Sequence, residues 1–184
     1  MTTITEQGLN GAKAAYTAVT IALNCRNGSK TKGEIRDLEV RIHRLKTIQR
    51  ATGTPNQEVI ERLTSRLKEK RASYLSTCLS TAKIALGAIP NTLTKAAADL
   101  LNAGYLATKS IEHLESARSE NATSPLDQTA AALHALATIA QVGCLASQAL
   151  ESEESEQSFY QAQMLLITTN SALSAYSFAK GFFS

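Results

Sequence analysis

The chain contains no tryptophan, and aromatic residues of every kind make up 5% of its 184 positions. It has only three prolines and three cysteines. Each shortage excludes something. Few aromatics exclude a core organised around large rings. Few prolines leave long stretches free to be helical. The cysteines, Cys25, Cys78 and Cys144, are odd in number, far apart and without CxxC or zinc spacing. They read as small buried hydrophobes in a reducing compartment rather than as a disulfide framework. The opening run Met1-Thr2-Thr3-Ile4-Thr5-Glu6-Gln7 has neither a basic region nor an apolar core, so no cleaved Sec signal is expected. The expected location is cytoplasmic, or outside the cell by a route without such a signal. The sequons at Asn27-Gly28-Ser29 and Asn121-Ala122-Thr123 then carry no weight.

Catalytic patterns are missing as well. The sequence holds no HExxH, no glycine-rich phosphate loop, no GxSxG and no paired-carboxylate helix motif. His43, His113 and His134 are isolated from one another along the chain. His134 stands among alanines, where a core histidine bonded to a carbonyl one turn back is the expected role. Neither enzyme activity nor a cofactor nor a metal is expected from these residues.

What is present is helix-forming. Hydrophobic residues reach 43%, with alanine runs at Ala96-Ala97-Ala98 and Ala130-Ala131-Ala132. Alanine has the highest helix propensity and lets backbones approach closely. The fold class read from this is all-α: an Ala-rich bundle of about six helices with a long antiparallel coiled-coil hairpin.

Gly8 and Gly11 should delay a first helix to residues 9–26, and 27–33 reads as a turn. A second helix, 32–51, carries the a/d seam Ile35, Leu38, Ile42, Leu45. Thr54 as N-cap, Pro55 as first residue and Gln57 closing a capping box open a third helix, which Pro90 ends. Its first half offers Ile60, Leu63 and Leu67 to the second helix; its later half should enter the body. The fourth helix, 92–119, keeps the heptad Leu93, Ala97, Leu100, Gly104, Ala107, Ile111, Leu114, with a close crossing expected at Gly104. Ser124 and Pro125 open a fifth helix, apolar on nearly every side and expected at the bundle centre. The acidic turn Glu151, Glu153, Glu154, Glu156 precedes a sixth helix ending near residue 181, where Phe182 and Phe183 dock or anchor.

Residues 1–184 are thus read as one helical domain, with 30–75 as a basic hairpin arm and a compact body of helices 1, 4, 5, 6 and half of 3. The net charge of +3 divides unevenly: residues 30–71 carry +6, leaving −3 elsewhere. Pairs such as Asp37 with Arg41 and Glu58 with Arg62 would neutralise part of the arm. The candidate partner-binding residues are Arg44, Lys46, Arg50, Arg62, Arg66, Lys68, Lys70 and Arg71, with the run from Arg66 to Arg71 the most concentrated.

The leading functional expectation is a non-enzymatic interaction module, an adaptor, effector or assembly subunit. It would bind another protein, with an acidic surface, through the arm or an inter-helix groove. The Thr-rich N-terminus and Ala/Ser/Thr-rich helices resemble, in composition alone, bacterial effectors exported without a cleaved signal. No motif carries that likeness. Nucleic-acid binding through the basic arm is the first alternative. Membrane insertion is the second, since 128–150 and 157–179 lack Asp, Glu, Lys and Arg. Gln128, Gln141, Gln148, Gln161, Gln163 and Asn170 weigh against it. Self-association through the hairpin or the Phe182-Phe183 tail is left open.

Overall fold

The computed structural model describes residues 2–53, 55–89, 92–119 and 125–183; side chains at 2–10, 12, 92–93, 119 and 177–183 lie outside the description. The described residues form five α-helices: α1 (Thr2–Thr52), α2 (Gln57–Gly87), α3 (Thr92–Ser119), α4 (Pro125–Ala149) and α5 (Glu153–Phe183). The chain is an all-α bundle. Each helix packs on its neighbour in sequence, and among the described residues no other pair of helices meets. The result is an open, serially stacked array rather than a closed body.

The first two expected helices are one. α1 runs unbroken for 51 residues through Gly8, Gly11, Gly28 and Gly33, so neither the delayed start nor the turn at 27–33 occurs. Packing on α2 overrides local propensity here. Gly28 is buried beneath the ring of Tyr74, which a Cβ at that position would meet at 3.7 Å. α1 ends where its own seam ends: Gly53 takes φ +67, and its N–H bonds to Gln49 O at 3.0 Å, a left-handed C-terminal stop that glycine adopts without strain. The proposed caps Thr54 and Ser124, and the terminators Pro90 and the 120–124 break, lie outside the described residues, as do the side chains of Leu93, Phe182 and Phe183. α2 opens at Gln57 with Asn56 as its N-cap, so Pro55 precedes the helix rather than starting it, and Gln57 Nε2 donates to Glu61 Oε1 at 2.8 Å.

The α1–α2 seam follows the expected pattern. Leu38, Ile42, Ile60 and Leu63 form a buried cluster flanked by Leu45 and Leu67. Each such side chain contributes about 1.5–3 kcal/mol on burial. Elsewhere the interior is small-residue packing, with Ala72, Ala98, Ala103, Ala130, Ala137 and Ala140 buried beside Leu106. Among the described residues the largest side chain that is almost wholly enclosed is Ser76.

α4 and α5 separate without glycine or proline. Glu151 takes φ +55, Ser152 N–H bonds Ser147 O at 2.9 Å, and Glu151 N–H bonds Gln148 O at 3.2 Å. That is a Schellman stop with glutamate in the left-handed position. Ser152 then opens α5, its carbonyl accepting from Glu156 N–H at 3.0 Å.

Two further expectations are corrected. α1 packs on α2 alone, so the segment 9–26 does not join helices 4, 5 and 6 in a body. α4 is not the buried centre either: Leu136, Ile139 and Val142 face solvent, Ile139 at 64% exposure. A serial array gives each inner helix two neighbours and two open faces, which is too few to bury a helix that is apolar all round.

Candidate functional site

The open faces differ in chemistry. α2 and α5 do not touch, yet both line the same clefts with α3 and α4 between them. The four helices therefore enclose a trough. Across its floor runs a ladder with one residue from each helix. Lys83 Nζ donates to Asn102 Oδ1 at 2.6 Å, and Asn102 Nδ2 donates to Gln141 Oε1 at 2.7 Å. Gln163 Nε2 donates to that same oxygen. Asn102, Gln141 and Gln163 are buried, so each amide needs its partner.

The ladder divides two clefts. One, of about 310 Å³, is lined by Lys95, Asp99, Cys144, Gln148 and Glu156. Burial, then the Glu156 and Asp99 carboxylates, push the Cys144 thiol up, which keeps it protonated. The other, of about 380 Å³, is lined by Tyr105, Leu106, Lys109, His134, Ile167 and Asn170. Here His113 and His134, separated in sequence, meet with ring centroids 5.3 Å apart. His113 Nδ1 lies 3.2 Å from Asp127 Oδ1. Asn170 Nδ2 lies 3.3 Å from both ring nitrogens of His134. The partner of His134 is thus an amide on α5, not a carbonyl one turn back. Burial, with His113 and Lys109 adding positive charge, lowers the His134 pKa to about 4 against the pull of Glu112.

The opposite, convex face is apolar. At about 100° per residue, Leu100, Ala107, Ile111 and Leu114 on α3 point away from the ladder. So do Ile139 and Val142 on α4 and Leu165 on α5. Leu100 is 65% and Leu165 70% exposed. The α3 heptad therefore has no helix against it, apart from Leu79 of α2 beside Gly104. That contact is ordinary: a Cβ at Gly104 would stand 3.4 Å from Leu79 Cδ1. The close crossing lies instead at Gly143, which the sequence did not single out.

The basic residues are only partly gathered. Arg62 pairs with Glu58 at 3.1 Å, Lys70 with Glu34 at 2.9 Å, and Arg71 with Glu39 at 2.7 Å. The Lys70 hydrogen bond holds the Glu34 carboxyl below its usual range against some desolvation, aided by the charges of Lys70, Lys30 and Arg66. The expected pair of Asp37 with Arg41 does not form. Lys46, Arg50 and Lys68 line a cleft of about 640 Å³ near the hairpin tip, together with Glu61, Thr64 and Ser65. Among the described residues these three cations and Arg44 make no ion pair. Arg44 does not reach the cleft.

Cys25 and Cys78 are exposed, contrary to the expectation of buried thiols; Cys144 alone is buried. Among the described residues no group of three or more His, Cys, Asp or Glu could hold a metal ion. Among the described residues one helix, α4, is long and apolar enough to cross a membrane, and it is partly buried. The uncharged stretch 157–179 does not meet that measure. The ladder went unnoticed in the sequence, although Gln141, Gln163 and Asn170 stood out there as polar residues in apolar helices. No protein-family model matches the chain, and no curated protein or solved structure matches it.

Proposed function

We propose that this chain is a non-enzymatic protein–protein interaction module whose convex face is covered by a second copy of itself. The carrying observation is that Leu100, Ile111 and Leu114 of the α3 heptad meet solvent. A 3.5-residue apolar repeat is the pattern of helix-on-helix packing, and here, among the described residues, Leu79 of α2 covers it at Gly104 alone. The surface area supports the reading. The chain exposes 12,524 Å², whereas a compact monomer of its 19.7 kDa exposes about 8,600 Å². The excess, on the order of 3,900 Å² per chain, is more than the roughly 1,000–2,500 Å² that each partner of a large homodimer buries, so the chain has surface to spare for such an interface. The long α1–α2 hairpin accounts for part of it, with Tyr16, Val19 and Leu23 exposed there, and the convex face of α3–α5 for another part.

Sedimentation at micromolar concentration tests this. The expected mass is twice 19.7 kDa, falling to a single copy when Leu100→Glu and Ile139→Glu are combined, with helicity retained. A wild-type monomer, or a dimer indifferent to both substitutions, overturns the proposal. A monomer that floats with liposomes replaces it with membrane docking.

A second reading attaches to the hairpin tip, where Lys46, Arg50 and Lys68 line one cleft with Glu61 and, among the described residues, make no ion pair. It is a grip on an acidic protein surface. Polyglutamate should bind wild-type protein at low salt, and Lys46→Glu with Lys68→Glu should abolish that binding. Stronger retention on duplex DNA than on polyglutamate would turn this reading toward nucleic acid.

A further inference from the structure

The trough holds a charge that the fold leaves unanswered. Lys83 reaches from α2 over the floor and makes its one described bond to a neutral oxygen, Asn102 Oδ1 at 2.6 Å. Among the described residues it has no ion pair. Asp99 acts on it only through space, and burial lowers its pKa. A half-buried ammonium without a counter-ion is costly, and it lines both clefts. Lys109 beside it is already neutralised by Glu112 at 2.7 Å. On the far wall, Asn170 Oδ1 is buried without a hydrogen-bond partner. One surplus positive charge therefore lines the same cleft as Asn170, the residue of the unused acceptor, together with the uncharged Leu106, Tyr105 and Ile167, in a volume of about 380 Å³ that suits a small ligand.

We infer that this cleft binds a small organic monocarboxylate that carries a hydroxyl on an apolar body. The carboxylate sits on Lys83, the apolar chain lies along Leu106 and Ile167, and the hydroxyl donates to Asn170 Oδ1. A monoanion matches the single uncompensated cation. A phosphate dianion would leave excess negative charge near Glu112 and Asp99. This site lies on the face opposite the apolar heptad, so the two readings stand or fall separately.

The probes are 6-hydroxyhexanoate, hexanoate, hexanol and hexyl phosphate, each titrated into full-length protein and followed by calorimetry and by amide NMR shifts on α3 and α5. The expected order is 6-hydroxyhexanoate tightest, hexanoate several-fold weaker, hexyl phosphate weaker again and hexanol unbound. Lys83→Met should weaken 6-hydroxyhexanoate at least tenfold. Lys83→Arg should retain it, and Lys95→Met should leave it unchanged. Lys83→Met removes a desolvated charge but also the donor to Asn102 Oδ1, two effects of opposite sign, so retained helicity and a cooperative thermal transition in the variant are what separate loss of binding from loss of fold. Equal binding by wild type and Lys83→Met overturns the inference. So does binding of hexanol or hexyl phosphate as tight as that of 6-hydroxyhexanoate, or no binding of any probe at millimolar concentration.

Discussion

A methyl group on Gly143 would stand 2.5 Å from Cδ1 of Phe159. The α4–α5 crossing is thus set by a ring lying flat against bare backbone. Gly143→Ala should force that ring out of place and destabilise the chain by about 1–3 kcal/mol. Gly104→Ala meets only the movable end of Leu79 at 3.4 Å and should stabilise by up to about 1 kcal/mol through helix propensity. Urea unfolding of the two variants should therefore move in opposite directions. A shift of the same sign in both would refute the placement of the close crossing.

The stop after α4 uses Glu151 at φ +55. A side chain in that conformation costs roughly 1–2 kcal/mol, and glycine's greater unfolded freedom offsets about half of the relief. Glu151→Gly should raise stability by roughly 0.5–1 kcal/mol, seen as a higher thermal midpoint with unchanged helicity. Glu151→Val should lower it.

Gln141 Oε1 accepts from both Asn102 and Gln163. Gln141→Met keeps the volume but leaves two buried amides without an acceptor, at about 1–3 kcal/mol for each unsatisfied group. Gln141→Glu keeps the acceptor and sits one bond from Asn102, which already receives Lys83, so it should be tolerated far better. Chemical denaturation separates the two. Equal losses would mean that the ladder contributes packing rather than hydrogen bonding.

His134 makes stability depend on pH. The unfolded imidazole binds its proton near 6.5, the folded one near 4. Between those values the unfolded chain holds more protons, so stability is full above about pH 6.5 and is lost as the pH falls toward 4. His113, Lys109, Glu112, Asp127 and Asn170 surround the ring, and its half-burial limits the loss to roughly 1–2 kcal/mol after screening. His134→Gln should remove this part of the acid sensitivity. The check is the difference between wild type and variant at pH 7 and pH 5, which cancels other titrating groups.

The helices were legible wherever side-chain periodicity and local stops agree. Leu38, Ile42, Ile60 and Leu63 repeat at a/d spacing and form the buried seam, because a helical hairpin brings such stripes together whatever lies beyond it. The α4–α5 boundary was legible from its acidic run, although the left-handed Glu151 that makes the turn was not. Glycines misled: at 27–33 the local preference for a turn amounts to about 1 kcal/mol per glycine, less than the gain from continuous packing on Tyr74 and its neighbours along α2.

The sequence by itself determined the all-α class, the small-residue interior and the separation of charge, since propensity, volume and net charge are properties of composition and near neighbours. Only the tertiary structure decided which helices meet. Serial packing turned Leu100, Ile111 and Leu114 of the α3 heptad outward, with Ile139 and Leu165, and aligned Lys83, Asn102, Gln141 and Gln163 across four helices. Such juxtapositions depend on long-range contacts, and no local pattern in the chain encodes the distance between residues 83 and 163.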